Sequence, residues 1–324
     1  RCEAVFMLSG FLLFLPYARA HADGGSVKGP MAFYKRRLAR ILPGFYFFTA
    51  LYCLAVMLAG AHEGSSPLNP QNIIFNALLL QPFMLFLKDV TPDLIPGTWS
   101  LAAECIFYAA LPFLAVRLRA VKYTAAFCLA VAACAYGARL LAHVIFGKAV
   151  PFGIMHNFFT HADLFASGML LALAYARRKP DSRPLRGAWV AALITAGAAF
   201  YVLSFIAPGL IFPDYEMLVA LSFICIMSGA VFSGGLIRRV FEAWPLRFIG
   251  IISYSMFVSN IIIAWYVLEP MRRAFGISSS LQALAFNMTV GMTVVILAST
   301  VTYIFIERPF LVRRAATAIA PAAA

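Results

Sequence analysis

The chain has 324 residues, of which 63% are hydrophobic and only 12% charged, with a formal net charge of +13. Soluble domains carry about 25% charged residues, so a soluble globular enzyme is excluded. A nucleic-acid footprint is excluded too, because the basic residues lie in short loops between apolar runs and form no basic face with interleaved aromatics. The chain reads as an all-α integral membrane protein whose surrounding partners are lipids.

Ten apolar segments follow one another, at roughly 4–17, 41–61, 72–87, 97–116, 121–146, 158–176, 187–208, 215–237, 246–268 and 280–306. Most approach the ~20 residues that a helix needs to cross a hydrocarbon core. The thirty Phe and thirteen Tyr suit lipid-facing surfaces and interfacial belts. The six cysteines, Cys2, Cys53, Cys105, Cys128, Cys134 and Cys225, show neither metal-ligand nor disulfide spacing and read as small buried hydrophobes. No metal site is expected.

The third segment is short and carries Gln81-Pro82 near its middle. Lys and Arg collect in cytoplasmic loops, and this decides its path. If it re-enters, the cytoplasmic side holds the clusters around Arg36, Arg117, Arg177, Arg238 and Arg313, while the outer side holds only Arg1, Lys88, Lys148, Arg272 and Arg273. If it spans, every later loop changes side and most basic residues fall outside. The expectation is therefore nine transmembrane helices plus one re-entrant segment, with a cytoplasmic C-terminus. Re-entrant backbone must be buried in protein or line a wet cavity. Residues 1–314 form one membrane domain, and the low-complexity tail 315–324 is expected to be disordered.

Ionisable side chains within spans are costly and default to functional candidates. Glu104 sits well inside the fourth segment, and His161 and Asp163 sit early in the sixth. Asn260 lies mid-span in the ninth, where interhelical hydrogen bonding is the alternative role. Arg139, near the outer end of the fifth, is expected to snorkel to the interface. Glu3 opens the first segment and Glu307-Arg308-Pro309 closes the last.

The strongest local feature is Phe33-Tyr-Lys-Arg36-Arg37-Leu-Ala-Arg40-Ile-Leu-Pro43. On a helix Arg36 and Arg37 fall beside Arg40, at spacings of four and three. Guanidinium forks match phosphate oxygens, although ordinary positive-inside residues or lipid-phosphate anchors have the same composition.

Taken together these stretches resemble the membrane-bound acyltransferase family 3, whose members move acyl groups, often acetyl, onto sugars, polysaccharides and lipid-linked glycans. Glu3-Ala-Val-Phe-Met-Leu-Ser-Gly-Phe11 resembles the family's D-x-F-F-x-L-S-G-F, and Phe33 to Pro43 its F-Y-x-R-R-x-x-R-I-x-P. Trp99 to Pro112 resembles W-S-L-x-x-E-x-x-F-Y-x-x-x-P, and Ile252-Ser-Tyr-Ser-Met-Phe257 resembles I-S-Y-S-x-Y. Tyr303-Ile-Phe-Ile-Glu-Arg-Pro-Phe310 resembles the closing Y-x-x-I-E-R-P-F. The order and spacing agree over most of the chain. The departures include Glu3 in place of aspartate, Cys105 where a second glutamate is common, and Asn260 where histidine is frequent.

The resemblance implies acyl transfer from acyl-CoA, acetyl-CoA foremost, to a hydroxyl of a carbohydrate, polysaccharide or glycolipid, in a bacterial inner membrane. It implies that Arg37 and Arg40, with Arg36 and Arg308 assisting, hold the donor phosphates. Glu104 and Glu307 are the supporting residues of the catalytic machinery, and Trp99, Ser100, His161, Asp163, Tyr254 and Asn260 line the acceptor path. The family also opens with a helix bearing an arginine and a histidine considered the catalytic base. The sequence begins at Arg1, so that helix is expected upstream, for ten helices in all. The alternative is a transporter or flippase of a lipid-linked sugar, using the same acidic groups and broken segment as a pathway. A catalytically inactive membrane scaffold is a third reading.

Overall fold

The architecture comes from a computed structural model that describes residues 3–23, 25, 29–60, 68–81, 93–118, 121–147, 150–178, 182–206 and 215–311. The described residues are helical or irregular, with no strand among them. Twelve helices are α1 (Glu3–Ala22), α2 (Pro30–Ala59), α3 (Pro70–Ala77), α4 (Trp99–Arg117), α5 (Val121–Phe146), the single turn α6 (Phe152–Met155), α7 (Ala162–Ala176), α8 (Gly187–Ile206), α9 (Tyr215–Phe232), α10 (Gly235–Phe241), α11 (Trp244–Ala274) and α12 (Ser280–Leu311). Nine of these described elements are long and apolar enough to cross a membrane: α1, α2, α4, α5, α7 with its preceding turn, α8, α9, α11 and α12. This is the all-α multi-pass architecture anticipated from composition. The tail 315–324 lies outside the described residues.

Two compact units emerge. The first is built on α1 and α4–α10. Its α1 and α7 cross at two glycines: a methyl group at Gly10 would sit 2.3 Å from Phe165 O, and one at Gly168 would sit 2.1 Å from Met7 O. Small residues let membrane helices approach until dispersion contacts hold them. Around this crossing Phe6, Met7, Phe14 and Phe165 are buried, and Phe107 stacks on Phe165 with ring centroids 4.4 Å apart. Alanine at Gly168 must push backbone against backbone. It is expected to cost about 1–3 kcal/mol and to lower the thermal midpoint of the detergent-solubilised protein. Alanine at Gly137, where nothing lies within 4 Å, is the control expected to be silent.

The second unit is built on α2, α3, α11 and α12. At 30 residues α2 reaches about 45 Å, long enough to carry the Arg36–Arg40 turn and a full span on one rod. Its core joins Phe48 and Tyr52 to Leu94, Ile95, Val258 and Ile262.

The third predicted segment is not a span-length helix in its described part. Asn69 caps α3, accepting from Asn72 N at 2.7 Å, and Pro70 opens it. The helix stops after eight residues, where Leu79 takes a left-handed φ of 55°. Two described backbone N–H groups further along the chain are met by buried polar side chains, as membrane depth demands. Asn76 Oδ1 accepts from Gln81 Nε2 at 2.9 Å and from Leu94 N at 2.8 Å, and Asp93 accepts from Gly97 N at 2.9 Å. Residues 82–92, including Pro82, lie outside the described residues.

Other boundaries also differ from the sequence reading. The eighth segment breaks at Ser233-Gly234, because Gly235 adopts φ +61° and starts a new helix. Segments nine and ten run on to Ala274 and Leu311 through π-helical turns at Ala264–Leu268, Asn287–Gly291 and Tyr303–Glu307. A π turn adds a residue to the helical circuit and re-aims the side chains around it, often at functional positions.

Candidate functional sites

In the second unit, motif residues far apart in sequence meet near the arginine-bearing turn of α2. Tyr254 on α11 donates from its hydroxyl to Ile41 O at 2.7 Å. Gly44 makes room for that tyrosine: a methyl there would lie 2.8 Å from its ring. The next residue, Ser255, donates to the carboxylate of Glu307, which is 1% exposed at the end of the third π turn. Arg40 is the cation whose field acts on Glu307. Arg37 and Arg40 are half-buried while Arg36 is exposed, and Arg37 lies 5.9 Å from the ring centroid of Phe33.

Arg308 points outward, away from buried Glu307. Asn260 hydrogen-bonds only within its own helix, donating to Phe257 O at 3.0 Å, and does not serve as interhelical glue among the described residues. That role falls to Ser259 and Ser299, 3.2 Å apart across α11 and α12.

In the first unit, Ser9 of α1 donates to Glu104 of α4, so the L-S-G and W-S-L stretches meet directly. Glu104, Trp99 and Ser100 are all buried. The Trp99 ring is walled by Phe6, His156 and His161, at centroid distances of 5.8, 5.0 and 5.1 Å.

Behind His161 lies a buried charge network. Arg139 forms a fork on Asp163, with 3.1 and 2.7 Å bonds, and also donates to Thr160 O. His161 Nε2 lies 3.2 Å from Glu216 on α9, and Arg139 lies 3.9 Å from the same carboxylate. The snorkelling expected of Arg139 is overturned: at 1% exposure it is fully enclosed. A forked, desolvated carboxylate partner outweighs the reach to the interface. Glu216 was missed because it stands at the lip of its segment and reads as interfacial. The usable signal was positional: Arg139, His161, Asp163 and Glu216 all occupy the same end of three spans.

His161 Nδ1 approaches Asn157 O at 3.1 Å. Thr160 Oγ1 lies 3.2 Å from the same nitrogen, while Nε2 faces the Glu216 carboxylate. Among the described residues, no group of three or more His, Cys, Asp or Glu could hold a metal ion.

A multi-pass helical membrane protein with two polar constellations inside its apolar units is thereby defined. The family model described as an acyltransferase domain, that of acyltransferase family 3, matches residues 6–306. The chain belongs to that family and is a membrane acyltransferase. No curated protein and no solved structure matches it.

Proposed function

We propose that the protein transfers an acyl group, acetyl foremost, from acyl-CoA to a hydroxyl of a carbohydrate, polysaccharide or glycolipid. The observation that carries this reading is the gathering of Arg37, Arg40, Tyr254, Ser255 and Glu307 at one end of α2. Guanidinium forks bind phosphate oxygens in charge-assisted pairs, and coenzyme A brings several phosphates. Glu307, held by Ser255, lies in the field of Arg40, Tyr254 fixes the turn of α2 below it, and Arg36 and Arg308 supply outlying positive charge.

In the transfer, the acceptor oxygen bonds to the thioester carbonyl carbon, the carbon–sulfur bond breaks, and the hydroxyl proton ends on the departing thiol. A base must take that proton and the two substrates must be held together. Glu104, held by Ser9, orients the base or the acceptor. Trp99, Ser100, His161 and Asp163 belong to the acceptor side. The protein sits in a bacterial inner membrane with its C-terminus and donor arginines cytoplasmic.

The test is transfer of label from acyl-CoA to a panel of glycans and glycolipids by the protein in proteoliposomes. Label appearing as an ester on the acceptor is the expected result. Substrate movement across the vesicle without any donor, and no ester, would overturn the reading in favour of transport. A reporter fused at the C-terminus fixes the orientation independently.

A further inference from the structure

At the other end of α2 the second unit holds a cleft of about 830 Å3. Its volume is in the range of small-molecule sites. It lies where two of the π turns approach each other. The first, Ala264–Leu268, interrupts α11, and the second, Asn287–Gly291, interrupts α12. Leu268 of the first packs so near Gly291 of the second that a methyl there would lie 3.2 Å away. The walls of the cleft include Trp265, Tyr266, Glu269, Arg272, Arg273 and Asn287. The Tyr266 hydroxyl donates to Gly60 O at 3.2 Å, tying the cleft to the end of α2, where Gly60 turns the chain at φ +82°.

The polar edge is ordered. Glu269 pairs with Arg272 at 2.8 Å and with Arg273 at 3.0 Å. Among the described residues, one carboxylate against two guanidiniums leaves a net positive edge. Arg273 is 75% exposed, whereas Glu269 is 23% exposed.

We infer that this cleft is a further subsite for the glycan acceptor, additional to the acceptor path assigned to Trp99 and His161, and that it favours acidic glycans. Flat aromatic faces such as Trp265 and Tyr266 stack on the C–H faces of sugar rings, while Arg, Glu and Asn offer planar hydrogen-bonding groups to hydroxyls. The residual positive charge selects carboxylate or phosphate substituents. Location agrees with this role. From Arg40 to Gly60 the helix rises about 30 Å, the thickness of a hydrocarbon core. The cleft therefore opens at the membrane face opposite the donor arginines, where an envelope glycan would be met. The inference rests on the acceptor being a carbohydrate.

The experiment measures binding of neutral and uronic-acid-bearing oligosaccharides to the detergent-solubilised protein, without acyl donor, by titration calorimetry. Acidic oligosaccharides are expected to bind more tightly than neutral ones. Trp265→Ala should weaken binding by roughly tenfold, and Trp265→Phe should restore most of it. Arg273→Glu changes an exposed side chain that folding does not require, and it should abolish the acidic preference. Gly137→Ala should leave glycan binding unchanged. Absence of oligosaccharide binding, or full-strength binding by both Trp265→Ala and Arg273→Glu, overturns the cleft. The two readings fail separately. Glycan binding at the cleft without ester formation would sink only the proposed reaction. Ester formation with an unaltered acceptor KM in Trp265→Ala and Arg273→Glu would sink only the cleft.

Discussion

Alanine at Arg139 is expected to destabilise the protein by about 3–5 kcal/mol, the cost of leaving a buried ion pair with one partner. The side chain is enclosed and serves Asp163, Thr160 O and Glu216 at once. Removing it strands two carboxylates inside an apolar bundle, with His161 left beside Glu216. Taking Asp163 away together with Arg139 removes the stranded charge as well as its partner. The double variant Arg139→Met with Asp163→Leu should therefore lose much less stability than the two single changes combined.

Denaturant titration of the solubilised protein reads the cycle, and a coupling energy well above ~0.5 kcal/mol marks contact rather than independence. Additive losses would show that the fork contributes nothing as a pair. The cycle also separates two roles of the network. If it only fixes α5 against α7, the double variant keeps its acceptor KM. If it also aims His161 at Trp99, stability returns while acceptor KM stays raised.

What the sequence disclosed follows from which forces are local. Span-length apolar runs and the arginine-rich turn are local patterns, so the helices and the Arg36–Arg40 cluster were legible. Loop charge alone led to the expectation that the third segment does not span, and its described part is a capped eight-residue helix. Pairings across the bundle were not legible. Nothing within the span that holds Arg139 announces Asp163 as its partner, since that choice depends on which faces of α5 and α7 meet. The π turns were equally hidden, because one added residue in a helical circuit leaves hydrophobic periodicity almost unchanged. At the end of one such turn Glu307 is buried while the adjacent Arg308 is exposed. The family's motifs placed Ser9 and Glu104 in separate stretches, and only the folded chain joins them.

Alanine at Arg37 or Arg40 is expected to weaken acyl-CoA binding by roughly 10-fold to 150-fold, the equivalent of about 1.5–3 kcal/mol for a hydrogen bond to a charged group. Arg36→Ala, at an exposed position, should change affinity less than about threefold, in the range of a surface ion pair. Lysine at Arg40 keeps the charge but loses the fork, so it should recover only part of the affinity. A donor lacking the 3′-phosphate sharpens the assignment. The arginine that holds that phosphate is the one whose removal no longer matters when the phosphate is absent.

Arg40 carries a second consequence. It is the cation whose field acts on Glu307, so Arg40→Ala should also lower the thermal midpoint. Adding Glu307→Gln should return part of that stability without returning donor affinity. Equilibrium binding of labelled acyl-CoA, run beside the thermal assay, separates the two effects. Unchanged donor affinity in both Arg37→Ala and Arg40→Ala would remove these arginines from the donor site. The cluster would then be left with the anchoring of lipid phosphates that its composition equally allows.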